Sequence, residues 1–459
     1  MKHKNRIYLV LEVKQREIDP RIIFSLKAAN LGYSVVFCKK TYLEQKIKYF
    51  QKGVIILKSI GKKNHNFILK AKKYGHKICS FDEEGLLFHN PEYYCKKRIP
   101  EKCLSELDLF FSWGEHDKNA IIKLYPNYHE KIKEVGNCRI ELLKYPLNEI
   151  YKNQGNEIKK KYGKFVLVNT KFGYAGFTPA KKNFTIVDSL EKVLAIDETE
   201  KKIHQYILES QVKRRDDLIN LFLIFEKKNN DIKFLVRPHQ SEKITFWNEI
   251  ENKLKNVKII RDGQPSLAWM CAAQSIISFN CTTAIEGKFF NKNHLNYVPL
   301  DKNDFKIPNS INKNIYNIVE LEKELVKDFY EEQHDDSSFD FDLSKNITNI
   351  KTDFVNNVCV HLNLLFKNFK INKTDKYTNI ISFSYFIFKR FLINFYYLRV
   401  RGAYNDSKTM LSAQKNPKTD LKEVKDKSKI FMKHLDIKDI KIEEIYPNVF
   451  CFEKYDFKK

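Results

Sequence analysis

The stretch Ser-Ile-Ile-Ser-Phe-Asn-Cys-Thr-Thr-Ala-Ile-Glu-Gly, residues 275–287, indicates a short buried strand, a tight turn and then a helix. The apolar run around Ile276 predicts the strand. The hydroxyls of Thr282 and Thr283 predict a helix start, because side-chain oxygens can accept hydrogen bonds from the first helical turn. Free N–H groups and the positive end of the helix dipole would favour a phosphate there. Glu286 follows one turn later and could hold a sugar hydroxyl, although an ordinary capped helix gives the same pattern.

A second stretch, residues 232–242, reads as a strand that runs directly into Arg237, His239 and Glu242. The forked donor of arginine and the ring N–H of histidine both suit phosphate oxygens. Ligands of open α/β sheets bind outside the carboxyl ends of the strands. Two polar strand ends therefore predict a phosphate or nucleotide site, while a capping or core histidine is the alternative for His239.

The composition bounds the class of protein. The 459 residues are enough for two or three domains, and a net charge of +25 would attract phosphorylated substrates, anionic lipid or nucleic acid. A lysine-rich genome would produce the same excess. Since the sequence contains no DNA or RNA recognition motif, nucleic acid is an unlikely partner and an anionic membrane surface is a further candidate.

The cysteines and apolar runs predict the compartment. The nine cysteines are scattered, odd in number and never in CxxC spacing, which favours reduced thiols over a disulfide framework or a zinc site. We found no signal peptide and no apolar run long enough to span a bilayer. These features predict a cytoplasmic protein, free or peripheral on the inner membrane face. No Asp-x-Asp motif stands in a suitable place, so neither a metal nor another cofactor is expected.

The N-terminal residues predict the start of a doubly wound domain. A strand over Ile7–Leu11 precedes a charged loop, residues 12–17, which contains Arg16 and Glu17. Asp19 and Pro20 then look like an N-cap and a first helical residue. A charged loop at a strand end is a candidate substrate contact, although a solvated turn is an alternative.

An acidic run follows a later strand of the same domain. Residues 77–81 form an apolar strand that ends in Asp82, Glu83, Glu84 and a glycine. Three neighbouring carboxylates repel one another, which would raise a pKa towards values useful for a general base. A plain acidic turn is the alternative. The next strand, around Phe110, leads into another polar loop that contains Glu115.

The order of strands and helices predicts an α/β fold with two facing Rossmann-type domains. Residues 1–147 would form the acceptor domain and residues 148–343 the nucleotide-sugar domain, joined by a polar linker at about 148–161. A glycine-containing loop at 170–176 gives a weak phosphate signal. Residues 344–459 predict a helical, aromatic and basic extension that ends, near Ile440–Phe452, in a helical turn and a strand. Within it, Tyr377–Arg401 suits either an interfacial helix on anionic lipid or a helix packed against the two domains.

Five segments together resemble the bacterial surface carbohydrate biosynthesis proteins. The segments are 12–17, 81–85, 111–115, 237–242 and 281–286, in order within Arg6–Leu300. That family is related to glycosyltransferases of the two-Rossmann GT-B fold. A looser likeness extends to bacterial sialyltransferases and capsule Kdo transferases, which use CMP-sugars.

The resemblance implies roles for individual residues. An acidic-acidic-Gly motif makes Glu83 the general base, with Asp82 as its close competitor. A His-Pro motif on the nucleotide phosphate maps to His239, although Gln240 replaces the proline here, and a paired-hydroxyl motif maps to Thr282 and Thr283.

The residues named above would then share one cleft. Arg237, Glu242 and Glu286 would complete the nucleotide site, and Arg16, Glu17 and Glu115 would contact the acceptor.

The implied reaction is an inverting transfer from a nucleotide-sugar donor. The donor would be a CMP-sugar carrying a Kdo-like or sialic-acid-like sugar, and the acceptor a surface polysaccharide or a lipid-linked glycan. A CDP-glycerol-type polyol-phosphate transferase and a non-catalytic carbohydrate-assembly protein are the alternatives.

Overall fold

A computed structural model describes two compact units. It covers residues 5–88, 90–173, 175, 198–228, 231–239, 241–261, 264–300, 306–330, 343–367, 369 and 419–455. The first unit combines Met1–Leu147 with Asp342–Lys459, and the second is Asn148–Phe341. Each unit is built on a largely parallel sheet with helices, which confirms the predicted α/β class.

The described residues contain fourteen strands and sixteen α-helices. The strands are β1 (Arg6–Leu11), β2 (Ser34–Lys39), β3 (Val54–Leu57), β4 (Lys77–Ser80), β5 (Leu109–Ser112), β6 (Ile132–Glu134), β7 (Val166–Asn169), β8 (Phe234–Arg237), β9 (Val257–Ile259), β10 (Ser275–Ser278), β11 (Asn293–Tyr297), β12 (Lys313–Ile315), β13 (Ile440–Tyr446) and β14 (Val449–Lys454). The helices are α1 (Lys14–Asn30), α2 (Lys40–Lys46), α3 (His65–Lys73), α4 (Pro91–Arg98), α5 (Glu101–Leu104), α6 (Glu115–Leu124), α7 (Cys138–Glu141), α8 (Asn148–Tyr162), α9 (Glu198–Lys227), α10 (Ile244–Lys253), α11 (Ser266–Ala272), α12 (Thr283–Phe289), α13 (Lys306–Ile311), α14 (Ile318–Tyr330), α15 (Phe354–Lys367) and α16 (Leu421–Leu435).

The first unit contains an eight-stranded sheet in the order β13-β14-β2-β1-β3-β4-β5-β6. Strands β1 to β6 pair in parallel, and the C-terminal hairpin joins the edge of β2 antiparallel, with Phe450 opposite Phe37. The predicted helical turn near Ile440 is therefore wrong. Ile440 and Ile442 are buried while Lys441 between them is exposed, and this period of two is that of a strand.

The first helix begins earlier than the sequence predicted. Helix α1 starts at Lys14, so Arg16 and Glu17 lie in its first turn rather than in a loop. Pro20 is inside the helix, and the Asp19 carboxylate binds Lys427 at 2.8 Å instead of capping. Burial of the apolar residues of α1 stabilises the helix enough to tolerate Pro20 in its interior, although the sequence suggested that the helix begins at this proline.

The second unit contains a six-stranded parallel sheet in the order β12-β11-β10-β7-β8-β9. The segment predicted as a polar linker is instead helix α8. Its buried residues Ile150, Tyr151 and Ile158 have helical spacing, and Gly155 lets it approach α11 closely, since a Cβ there would lie 2.9 Å from the carbonyl of Ala268.

Several predicted features lie outside the described residues. The aromatic-basic segment Tyr377–Arg401 is one of them, and Gln240 is another. Among the residues that the structure does describe, none of the helices has both the length and the apolar character needed to cross a bilayer.

Candidate functional site

The strand order of the second unit defines a switch point between β7 and β10. The chain passes from β7 to β8 on one side and later returns to β10 on the other side. Because the loops that leave two such strands diverge, the carboxyl ends of β7 and β10 are where an open α/β sheet binds its ligand. The loops concerned begin at Thr170 and at Phe279.

Three polar side chains at this switch point have a buried atom without a partner. Asn169 Nδ2, Ser278 Oγ and Asn280 Oδ1 make no hydrogen bond within the described part of the chain. Val168 pairs with Ile277, so Asn169 and Ser278 are the next residues of two neighbouring strands. Buried polar atoms are nearly always paired, and several unpaired ones at one strand edge therefore indicate a place for a polar ligand.

A buried carboxylate ties the loop after β7 to the loop after β8. Glu242 accepts hydrogen bonds from Thr170 Oγ1, the Phe172 N–H and Trp247 Nε1, each at 2.8 Å. Thr170 Oγ1 in turn accepts the backbone N–H of His239 at 3.0 Å. We call these five residues the Glu242 network. Burial raises the pKa of Glu242, and the hydrogen bonds that its carboxylate accepts oppose that rise.

The network gives Glu242 and His239 different positions. Glu242 is buried with both carboxylate oxygens engaged inside the unit, so it holds the two loops together, and its contact with a nucleotide stays a prediction. The His239 ring is exposed, and its Nδ1 lies 2.7 Å from Ser241 Oγ. Of Glu242 and His239, only His239 therefore has its side chain exposed at the strand edge.

Arg237 at the end of β8 already has structural contacts. Its guanidinium donates to the Gln264 carbonyl at 2.9 Å and lies over the Trp269 ring, 5.6 Å from the centroid. A phosphate contact by Arg237 would have to share the guanidinium with these groups. The sequence could not reveal this, because both partners are about thirty residues away along the chain.

The loop after β10 brings hydroxyls and a cation together. Helix α12 begins at Thr283, and Thr283 Oγ1 lies 2.6 Å from Cys281 Sγ. Thr282 precedes the helix, but within the described chain its side chain forms no capping hydrogen bond, which corrects the predicted N-cap role. Lys171 Nζ donates to the Asn280 carbonyl at 3.1 Å. Lys171 therefore places a positive charge at the backbone of Asn280, two residues before Thr282 in the same loop.

The predicted contact of Glu286 with a sugar hydroxyl stays a prediction. Glu286 is buried in the first turn of α12. The loop at 170–176, which the sequence indicated as a weak phosphate signal, begins with Thr170 and Lys171, whereas Asn169 at the end of β7 was not among the predicted contacts although it is a polar residue at a strand end.

Each of the three carboxylates of the acidic run in the first unit pairs with a different arginine. Arg98 Nε donates to Asp82 at 2.6 Å, Arg21 to Glu83 at 3.1 Å, and Arg16 to Glu84 at 2.7 Å. The exposed fractions of the three carboxylate side chains are 1%, 8% and 49% in that order. Only Glu84 is therefore open to solvent.

The expected rise in carboxylate pKa is wrong for two members of the run. Burial would raise the pKa of Glu83, but Arg21 and Arg16 outweigh it and leave the pKa below its ordinary value. Burial also acts to raise the pKa of Glu84, but the opposing effect of nearby arginines, chiefly Arg16, lowers it to about 2. Repulsion between the carboxylates is offset because each has its own arginine.

The three predicted acceptor contacts lie in different surroundings. Arg16 bridges Glu84 and the Glu83 carbonyl. Glu17 is buried. Its carboxylate accepts hydrogen bonds from Lys58 Nζ at 2.9 Å and from the backbone N–H of Glu12, just before α1. Glu115 is exposed at the start of α6. Arg16 and Glu115 remain candidates for contact with an acceptor, whereas Glu17 is part of an internal ion pair.

A search of the described residues for a metal site found no group of three or more His, Cys, Asp or Glu side chains suited to hold an ion. The expectation that the protein needs neither metal nor cofactor stays a prediction.

The fold and the strand-edge geometry define a two-unit α/β protein with doubly wound sheets. No protein-family model matches the sequence, and no curated protein matches it. Among solved structures, HepE from Anabaena, in complex with UDP and glucose, is 10% identical over 79% of this chain and 99% of its own, with a TM-score of 0.41. The wall teichoic acid polymerase TagF, soaked with CDPG, is 12% identical over 80% and 88%, with a TM-score of 0.49. UDP-GlcNAc 2-epimerase from Methanocaldococcus jannaschii is 14% identical over 79% and 100%, with a TM-score of 0.46.

These structural similarities concern the fold alone and say nothing about the reaction or the ligands of this protein. The resemblance to sialyltransferases and Kdo transferases stays a prediction, and the site is defined by the residues of this chain alone.

Proposed function

We propose that this protein is a glycosyltransferase whose second unit binds a nucleotide-sugar donor at the switch point between β7 and β10. The observation that carries the proposal is the set of unpaired buried atoms on Asn169, Ser278 and Asn280 at that strand edge. A ribose or a base offers both donors and acceptors, so it could satisfy an amide, a hydroxyl and a carbonyl oxygen together. The Glu242 network would hold the neighbouring loops in place before the donor binds.

The phosphate of the donor would lie beside His239 and the loop that leads into α12. We expect the His239 ring, the Thr282 and Thr283 hydroxyls and the Lys171 ammonium to supply donors and positive charge to this phosphate. Such groups stabilise the charge that develops on a leaving nucleotide. They would therefore favour transfer as well as binding.

We propose CMP as the nucleotide and a Kdo-like or sialic-acid-like sugar as the transferred group. An acceptor hydroxyl of a surface polysaccharide or lipid-linked glycan would attack the anomeric carbon while the bond from that carbon to the phosphate oxygen breaks. CMP leaves with the electron pair of that bond. The hydroxyl proton passes to a carboxylate, and the configuration at the anomeric carbon inverts.

The acidic run of the first unit is the proposed source of that carboxylate. Glu83 and Asp82 are the sequence candidates, but both are buried in ion pairs, whereas Glu84 is half exposed. Glu83→Gln, Asp82→Asn and Glu84→Gln, measured side by side, would identify the base. Loss of general-base help lowers turnover by about a hundredfold or more while nucleotide affinity is kept.

The first experiment is a thermal-shift titration with CMP, CDP, UDP and GDP. We expect CMP to stabilise the protein, and His239→Ala to weaken that effect. His129→Ala, an exposed histidine of the first unit, is the matched control and should leave it unchanged. Stabilisation that is unaffected by His239→Ala and by Asn280→Ala would contradict the proposed site.

A second experiment measures CMP release from a CMP-sugar and from CDP-glycerol. Release from the CMP-sugar alone supports the glycosyltransferase proposal. Release from CDP-glycerol alone would assign the protein to the polyol-phosphate transferases, and a protein that binds none of the nucleotides would have a non-catalytic role.

A further inference from the structure

One long part of the first unit contains many lysines and no acidic residue. Residues 45–81 include ten lysines, no arginine, no aspartate and no glutamate, although 57 of the 459 residues in the whole chain are acidic. A lysine-rich genome explains the lysines but not the missing carboxylates. The pattern therefore indicates a surface that is kept positive.

The fold gathers much of this stretch on one side of the first sheet. Ile47 of the 3-10 turn after α2, Phe50 beside it, and Phe67 and Ile68 of α3 are buried in the same core cluster. Their helices consequently cover the same face of the sheet and turn their polar sides outward. The exposed lysines on that outer surface are Lys48, Lys62, Lys63, Lys70, Lys72 and Lys73, and we call it the lysine face.

Few carboxylates neutralise the lysine face. Lys72 pairs with Glu106 at 2.6 Å. Lys62, Lys63 and Lys73 form no ion pair within the part of the chain that the structure describes. Their charges are directed to solvent and remain available to an external anion.

Apolar side chains stand among these lysines. Leu69 on α3 is 42% exposed and Tyr74, just after the helix, is 36% exposed. A helix that presents lysines together with a leucine and a tyrosine is suited to the boundary between lipid headgroups and acyl chains. A lysine ammonium interacts as a point charge with the diffuse negative field of an anionic bilayer, at about 1 kcal/mol for each residue near the surface.

We propose that the lysine face docks the first unit on an anionic lipid bilayer. Lys62, Lys63 and Lys73 would lie near the headgroup phosphates, with Leu69 and Tyr74 inserted between them. This contact is made by described residues and is separate from the predicted role of Tyr377–Arg401. It is also independent of the proposed glycosyltransferase activity.

The test is flotation of the full chain with two kinds of vesicle, one of phosphatidylcholine alone and one mixed with phosphatidylglycerol. We expect binding only to the mixed vesicles. Each lysine near an anionic surface strengthens binding by about fivefold, so the triple variant Lys62→Gln, Lys63→Gln and Lys73→Gln should weaken it on the order of a hundredfold. At unchanged charge, Leu69→Ser with Tyr74→Ser should weaken it by about tenfold or more.

The matched control is a triple variant at Lys253, Lys255 and Lys258 of the second unit, each changed to glutamine. These lysines are also exposed and the charge change is the same. Equal losses in the two triple variants would overturn the proposal, because the attraction would then come from total charge alone. Binding to duplex DNA with no binding to the mixed vesicles would overturn it in favour of nucleic acid. Thermal shift with CMP reports nucleotide binding separately in every variant.

Discussion

Replacing Glu242 by glutamine should loosen both loops at the switch point of the second unit. The carboxylate accepts from three donors, namely Thr170 Oγ1, the Phe172 N–H and Trp247 Nε1. An amide of the same shape has a single acceptor oxygen and turns its NH2 group towards another donor. At least one buried donor is therefore left without an acceptor.

The cost of the substitution follows from that count. One buried unsatisfied donor costs about 1–3 kcal/mol. Since burial raises the pKa of Glu242, removal of the charge recovers part of this cost, and we expect a net loss of about 1–2 kcal/mol. For a unit of this size the unfolding midpoint should fall by roughly 2–8 °C.

The assay combines thermal unfolding with hydrogen exchange of single amides. The Phe172 N–H and the His239 N–H belong to the Glu242 network, so both should exchange faster in the variant. Glu249→Gln is the control, since Glu249 is an exposed glutamate on α10, the helix that also carries Trp247. Equal stability of the two variants, with unchanged exchange at Phe172, would refute the reasoning.

Three further substitutions test other contacts. Arg21→Met should destabilise the first unit by about 3–5 kcal/mol in urea unfolding, because it leaves Glu83 buried without its charge partner. Adding Glu83→Gln should restore part of this loss of stability. If the double variant is no more stable than Arg21→Met, the ion pair does not account for the loss. Gly136→Ala should cost about 2 kcal/mol or more, because Gly136 has φ of +90° and its added Cβ would lie 1.9 Å from Asn349 Oδ1; unchanged urea unfolding would refute this. His294 is buried and its pKa is lowered to about 3, so the unfolded chain binds the proton more tightly than the folded chain. The free energy of unfolding of the second unit should therefore decrease as pH falls from about 6.5 towards 3, and His294→Leu should make this decrease smaller. The same decrease in the variant and in the original protein would exclude His294 as its source.

The strands of both sheets were predictable because their apolar runs are local. Residues 6–11 and 275–278 are strands within one residue or two of the sequence expectation. Helix α8 was not predicted because its many polar residues and Gly155 are typical of a linker. Its row of buried apolar residues is explained only by the contact with α11. Local pattern thus predicted the elements but not what they pack against.

The chemistry of the candidate site was harder to predict than the fold. The polar strand ends were visible in the sequence, and the switch point explains why two of them belong to one edge. The pKa of Glu83 was not predictable, because Arg21, its partner, is 62 residues away in the chain and reaches it only through folding. The same holds for Glu242, whose three donors come from two separate segments.

The antiparallel addition of β14 to β2 also sets an order for folding during synthesis. The second unit is one continuous segment, so it can be complete while the first unit still lacks strands that lie about a hundred residues further along. Until those residues leave the ribosome, β2 is an open edge whose backbone groups at Val35, Val36 and Phe37 lack their partners on β14, and such edges recruit other strands. A nascent chain halted before residue 440 would therefore leave that edge of β2 unpaired, so the sheet of the first unit is completed only after the whole second unit has been synthesised.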